Sequence, residues 1–138
     1  MSIAKGNHMP KISVVTPAYN ASEYILDCAE SVLSQTHKNI EWLVVDDGST
    51  DNTLLLLRSL EKKDKRVKVL TQENQGPSAA RNKAFEEIKG DYFSFIDADD
   101  IWHPVFFSGL HKLISRHKAD LVSCNLREVS NGFRIEDI

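Results

Sequence analysis

The sequence predicts an α/β fold in which a mostly parallel sheet is flanked by helices, and three observations predict it. Short apolar, β-branched runs recur along the chain, segments with three- and four-residue apolar spacing separate them, and turn-forming residues mark the junctions. The runs are apolar throughout rather than alternating, which is the pattern of strands buried on both faces of a parallel, Rossmann-like sheet.

Ile12-Ser13-Val14-Val15-Thr16 reads as the first strand, closed by Pro17, which has no N–H to give to a central ladder. Between residues 21 and 35, Ile25, Cys28, Ala29, Val32 and Leu33 fall on one helical face. Trp42-Leu43-Val44-Val45 is the second strand and runs into Asp46-Asp47-Gly48-Ser49-Thr50-Asp51. Ser49, Thr50 and Asp51 are all suited to cap the helix that continues over residues 54–60. Val67-Lys68-Val69-Leu70 gives the third strand. Asn74-Gln75-Gly76-Pro77 then turns the chain and sets a proline at the start of a helix over residues 78–88, stopped by Gly90. Tyr92-Phe93-Ser94-Phe95-Ile96 is the fourth strand, residues 106–117 form a fourth helix, and Leu121-Val122-Ser123-Cys124 reads as a fifth strand.

With 138 residues, 41% of them hydrophobic and 27% charged, the chain has material for one domain and one core, not two. A formal charge of -3 has the wrong sign for a nucleic-acid binder, and the most basic stretch, Lys62-Lys63-Asp64-Lys65-Arg66, reads as a solvated helix end. Cys28 and Cys124 lie in apolar segments without CxxC spacing, and His37, His103, His111 and His117 lack metal-ligand spacing, so neither zinc nor a disulfide is expected. No apolar run reaches the roughly 18 to 20 residues of a membrane span, and the N-terminus lacks the apolar core of a secretory signal. A reduced, cytoplasmic setting is the expectation. Residues 1–9 carry no periodicity and are expected to be a disordered or cloning-derived leader; residues 10–125 are expected to form the domain, and residues 126–138 a tail or the start of a further region.

Ligands of open parallel sheets bind beyond the carboxyl ends of the strands, so the residues that follow each strand are the candidates. Asp97, Asp99 and Asp100 fall within four positions at the end of the fourth strand, all ionised at their reference pKa near 3.9. A hard cation such as Mg²⁺ or Mn²⁺ relieves that repulsion and bridges to substrate phosphates; the bland alternative is a solvated loop capping the next helix. Asp46 and Asp47 are expected to place a second carboxylate pair at the same crevice. Asp47 can accept a hydrogen bond from a nucleobase, or the pair can simply serve a turn and a helix N-terminus. Tyr19, after Pro17 and Ala18, can lie over a base or pack as core. Gly76 reads as a close-approach glycine, and Arg81 offers a donor fork to a base carbonyl or a diphosphate.

Four segments occur together and in order: Val14-Val15-Thr16-Pro17-Ala18-Tyr19-Asn20, Val44-Val45-Asp46-Asp47-Gly48-Ser49-Thr50-Asp51, Asn74-Gln75-Gly76-Pro77 with Ala80-Arg81-Asn82, and Asp97-Ala98-Asp99-Asp100. Together they resemble the nucleotide-sugar-binding half of family 2 glycosyltransferases, which have the GT-A fold. The resemblance spans roughly residues 10–125 and implies a nucleotide-diphospho-sugar donor, most often a uridine nucleotide. It implies that Pro17, Tyr19, Asp47 and Arg81 hold the base and ribose, that Asp97 lies against the ribose or diphosphate, and that Asp99 of the DxD motif carries Mn²⁺ or Mg²⁺. Thr16, Gly76 and Ala98 complete the implied donor-binding set. It further implies inverting, metal-assisted transfer to an acceptor hydroxyl on a glycan or lipid-linked acceptor, in cell-surface polysaccharide biosynthesis, with the full-length protein peripheral to the inner face of the membrane.

The chain departs from the family where the acceptor half and its carboxylate base should follow, and is expected to be truncated before them. Glu136-Asp137 looks like the family's downstream Glu-Asp pair but comes too soon after the fifth strand to be given the role of base, so the catalytic base is left unassigned. Two alternatives stand beside a transferase: a donor-binding fragment without catalysis, and a phosphoacceptor receiver domain. The receiver needs its acidic pair after the first strand and a lysine after the last, whereas Pro17 and Tyr19 follow the first strand here and Ser123-Cys124 sit in the last.

Overall fold

A computed structural model describes residues 9–124, and in chain order these form β1 (Ile12–Ala18), α1 (Ile25–Leu33), β2 (Ile40–Asp46), α2 (Thr53–Lys63), β3 (Val67–Thr71), α3 (Pro77–Phe85), β4 (Tyr92–Phe95) and α4 (Phe106–His117). The four strands make one sheet in the order β3-β2-β1-β4, and every pairing is parallel. The chain winds outward from β1 through β2 to β3, then returns to the other side of β1. That reversal between β1 and β4 is the switch point at which an open α/β sheet forms its ligand crevice. The order also excludes the receiver reading, whose doubly wound sheet runs 2-1-3-4-5.

The pleat divides the strand residues between two cores. Ile12, Val14, Ile40, Trp42, Val44, Val67 and Val69 pack with α1, with Leu57 of α2 and with Phe107 of α4. Val15, Leu43 and Val45 face the other way, against Ala80 and Ala84 of α3. Two alanines at that contact let α3 lie close to the sheet. This closeness matters because α3 carries Arg81.

Pro17 does not end β1, as the sequence suggested; it pairs with Val45 inside the strand. Val15 gives its carbonyl to Ile96 N, toward β4, and Ala18 gives its carbonyl to Asp47 N, toward β2. Strict alternation therefore turns the nitrogen of Pro17 toward β4, whose pairing has already stopped at Val15–Phe95. No ladder bond is lost there.

Three further expectations are corrected. Residues 121–124 form no strand: Leu121 is 85% exposed, so the short apolar run lacks the two-sided cover a buried parallel strand needs. Helix α3 starts at Pro77 and stops at Phe85 rather than Ile88, its last carbonyls taken up in the turn Glu87 N to Ala84 O. The cap of α2 falls one residue later than Ser49, Thr50 and Asp51, the residues expected to supply it. Asn52 occupies the cap position, but Asp51 supplies the oxygen, accepting from Thr53 N at 2.9 Å.

Candidate functional site

Beyond the carboxyl ends of β1, β2 and β4 lies a crevice of about 380 Å³, lined by Pro17, Ala18, Tyr19, Asn20, Ala21, Tyr24, Asp47, Pro77, Arg81, Asp97, Ala98 and Asp99. Its volume falls in the range of roughly 300 to 1,000 Å³ usual for small-molecule sites. Of the sequence candidates, Pro17, Tyr19, Asp47, Arg81, Asp97, Ala98 and Asp99 meet here, from segments far apart in the chain. Tyr19 and Tyr24 each leave about half their surface open on the β1 side. Asp97 and Asp99 stand on the β4 side.

Three candidates are placed differently. Thr16 is fully buried on the α1 side of the sheet, where its hydroxyl accepts the Trp42 indole N–H at 2.8 Å. The pleat, not the motif, decides its direction. The same alternation splits the Asp46-Asp47 pair: Asp47 lines the crevice, while Asp46 turns away, buried, its Oδ2 accepting Ser49 N at 3.3 Å and its Oδ1 unpartnered. Gly76 does not line the crevice, and a Cβ there would meet nothing within 4 Å. What glycine supplies is a φ of +89° at the N-cap of α3, a region that side chains rarely enter.

Asp47 is the most heavily bonded group of the site. Its Oδ1 accepts Gln72 Nε2 at 2.7 Å and Gln75 N at 2.9 Å, and its Oδ2 accepts Gly76 N at 2.8 Å. Three of about four lone-pair positions of the carboxylate are thus spent on the β3–α3 loop, leaving one on Oδ2 for a ligand. Burial pushes its pKa up, but the bonds from Gln75, Gln72 and Gly76 outweigh this and hold it below the usual carboxylate range. A carboxyl depressed in the folded state stabilises above its unfolded pKa, and that stability is lost as pH falls through the folded value. Melting temperature is therefore expected to fall on acidification below about pH 4, and Asp47→Asn to reduce that fall. Equal pH slopes for both proteins would refute the assignment.

The wall opposite is set by Asn20, which sequence reasoning passed over. At a φ of 48°, its side-chain oxygen accepts Thr50 N at 2.8 Å, while its own N–H reaches Ser49 Oγ at 3.0 Å. Ala21 N to Thr53 Oγ1 and Ser22 N to Asp51 Oδ2 extend the same seam between the loops after β1 and β2. A signal existed: asparagine is enriched in left-handed conformations, and this one directly follows a strand.

The acidic turn does not cap a helix. Asp100 N bonds Asp97 O at 3.1 Å, and α4 begins only at Phe106 with Val105 at its cap. Asp97, Asp99 and Asp100 are exposed while Ala98 is buried between them. Arg81 Nη2 donates to Asp97 Oδ1 at 2.6 Å. Even so, negative charge dominates. Burial, then the charges of Asp99 and Asp97, raise the Asp100 carboxyl, and burial, then Asp100, Asp99 and Asp97, raise the buried Cys28 thiol. Among the described residues no three metal-ligating side chains converge on one point. A cation here would draw on one or two carboxylates and on its ligand, the habit of Mg²⁺-like ions, and the hard oxygen donors of Asp97 and Asp99 fit that habit.

The comparisons agree with this geometry. The model of a family described as "Glycosyl transferase family 2" matches residues 13–136. The chain is 48% identical over 97 residues to the putative teichuronic acid biosynthesis glycosyltransferase TuaG of Bacillus subtilis, covering 70% of this chain and 38% of that protein. It is 42% identical over 115 residues to the glycosyltransferase GlyG of Streptococcus pneumoniae, covering 83% and 38%. Among solved structures, S. aureus TarS 1-349 in complex with UDP-GlcNAc superposes with a TM-score of 0.74 at 31% identity, covering 88% of this chain and 37% of that one. A mannosyltransferase, PcManGT from Pyrobaculum calidifontis, in complex with GDP-Man and Mn²⁺, gives 0.64 at 26% identity, covering 70% and 29%. The chain thus spans well under half the length of these relatives.

Proposed function

This chain belongs to glycosyl transferase family 2 and has a GT-A type fold, and from that premise we propose that its crevice binds a nucleotide-diphospho-sugar, a UDP-sugar, for inverting transfer to an acceptor hydroxyl. The observation that carries the proposal is the meeting of Tyr19, Asp47, Arg81, Asp97 and Asp99 around one crevice at the sheet's switch point. Tyr19 and Pro17 would offer apolar area to the base, and the remaining lone pair of Asp47 Oδ2 would accept a base N–H. Arg81 would join Tyr19 and Asp47 at the base and ribose, and the Asp97-Ala98-Asp99 turn would lie on the ribose and diphosphate side. Asp99, with Asp97 beside it, would hold Mn²⁺ or Mg²⁺, which when bound offsets charge on the departing diphosphate as a Lewis acid.

Residues 10–125 are the donor-binding domain in this reading, and residues 126–138 lead toward an acceptor side. The chain spans 38% of the length of TuaG and of GlyG, and the acceptor's carboxylate base is left unassigned. Glu136 and Asp137 lie outside the described residues. The acceptor class proposed is a glycan or lipid-linked hydroxyl of a cell-surface polysaccharide, met in the cytoplasm at the inner face of the membrane. The attachment proposed is peripheral; among the described residues no helix is long and apolar enough to cross a membrane.

Calorimetric titration of UDP with and without Mn²⁺ tests the reading. Wild-type protein is expected to bind UDP more tightly with Mn²⁺, and Asp99→Asn to lose the Mn²⁺-dependent part while melting as wild type does. Unchanged Mn²⁺ dependence in that variant would remove Asp99 from the metal site; no UDP binding by wild type under either condition would remove the donor site.

A further inference from the structure

Resting on that donor-site reading, we infer that Gln35 is a positioning residue for the acidic turn: it holds the chain that follows Asp97-Ala98-Asp99-Asp100, and so sets where those carboxylates stand toward a divalent cation. Among the described residues, Asp97 alone of the three aspartates has a side-chain partner, Arg81. Asp99 and Asp100 are exposed, so the backbone of the turn decides where their oxygens stand. That backbone is tied on its upstream side, where Ile96 N donates to Val15 O at 3.1 Å and the Cys28 thiol to Asp97 O at 3.6 Å. Ala98 and Trp102 are sunk in the core, and Trp102 stacks on Phe106 with 4.6 Å between ring centroids. On the downstream side the tie is Gln35, just beyond the end of α1.

Gln35 is fully buried, and its whole amide is engaged. Nε2 donates to Ser31 O at 3.0 Å, which fixes the side chain to α1, and to His103 O at 2.8 Å, while Oε1 accepts Phe107 N at 3.2 Å. Thr36 N adds a bond to Pro104 O at 2.9 Å. The chain is thus gripped where it passes from the turn into α4. Apolar packing of Trp102 and Phe107 would keep this segment against the core, but such contacts are non-directional and do not fix its position along the core as hydrogen bonds do. A primary amide supplies two N–H donors and an acceptor on one uncharged group. Glutamate would turn a charge toward two carbonyls, and methionine would fill the volume yet leave His103 O and Phe107 N unmet. Gln35 touches no ligand; it acts on the carboxylates through the chain that carries them, as outer-shell partners do in metal sites.

The test compares wild type with Gln35→Met, Gln35→Asn and, as a control, Leu57→Val, a core truncation in α2. Amide hydrogen exchange is read at Asp100, whose N–H bonds Asp97 O within the turn at 3.1 Å. UDP is titrated with and without Mn²⁺, well below the melting temperature of each protein. Gln35→Met is expected to speed exchange at Asp100 on the order of tenfold, as a local opening. It is also expected to lose roughly tenfold of the Mn²⁺-dependent gain in UDP affinity, with metal-free binding unchanged. Gln35→Asn, an amide one methylene shorter, is expected to fall between, and carries the comparison if Gln35→Met does not fold. Leu57→Val is expected to melt lower and to match wild type in both readouts, as a merely structural role would. Unchanged exchange at Asp100 in the Gln35 variants, a retained Mn²⁺-dependent gain, an equal loss with and without Mn²⁺, or Leu57→Val matching Gln35→Met would each overturn the inference. Wild type that binds UDP under neither condition overturns the donor reading instead, and exchange at Asp100 still decides whether Gln35 holds the turn.

Discussion

Asp47→Ala is expected to lower nucleotide affinity at least tenfold, with or without Mn²⁺, and to destabilise the fold by about 3 kcal/mol. The substitution leaves Gln72 Nε2, Gln75 N and Gly76 N without their acceptor. Each orphaned donor costs about 1 to 3 kcal/mol when it is kept from water, and the opening of the crevice onto solvent discounts that sum. Loss of the clamp also frees the loop that aims α3, so Arg81 loses its fixed origin. Gln72→Ala separates the two contributions, since it removes one of the three bonds and leaves both backbone donors bound. Calorimetry with UDP and a thermal melt check both halves. A binding defect confined to Mn²⁺-containing samples would place Asp47 at the diphosphate end and refute its role toward the base.

Gly90→Ala is expected to cost about 3 kcal/mol or more, at or beyond the top of the usual range for forcing extra volume into a packed site. A Cβ at Gly90 would stand 2.6 Å from both Ser13 N and Tyr92 O, and 2.7 Å from Ser13 Oγ. Two of these three atoms are backbone, held by the β1–β4 pairing, so they cannot turn aside. The neighbouring contacts amplify the damage: Gly90 N donates to Ser13 Oγ at 2.8 Å, and Ser13 Oγ in turn donates to Glu41 at 2.6 Å. The expected observation is a large drop in melting temperature, or failure to fold, with no specific effect on the ligand site. A variant that melts within a degree or two of wild type would show that the approach of the loop before β4 to β1 is not rigid.

The helices and the first four strands were legible because each is a local pattern. Val14-Val15, Leu43-Val44-Val45 and Val67 to Leu70 declare their burial, and the acidic, glycine and proline residues after them declare the ends. Convergence of the strand-end motifs on one crevice was legible too, since the topology of a parallel sheet leaves few places for them to go. Side-chain direction was not. Asp46 and Asp47 look equivalent in sequence, yet one residue of pleat sends them to opposite faces; Thr16 is lost to the core by the same rule, with Trp42 as its partner from 26 positions away. The pairing of Arg81 with Asp97, and the seam from Asn20 to Thr50, depend on distances across elements that no spacing encodes. The expected fifth strand failed for a related reason. Leu121, Val122 and Cys124 propose a strand, but only cover on its faces keeps one, and Leu121 stands 85% exposed.

The seam between the loops after β1 and β2, and the Asp47 clamp on the loop before α3, bear on where the conformational entropy of binding is lost. Loops that close on a ligand lose their freedom at the moment of capture, and affinity suffers accordingly. Here Asn20, Ser49 and Thr50 on one side, and Asp47 with Gln75 and Gly76 on the other, lose it during folding. Base recognition at this end would then resemble a key entering a rigid lock, with a small ordering penalty and fast, simple kinetics. The exposed side chains of Asp97, Asp99 and Asp100, where a diphosphate would lie, are the part left to adjust.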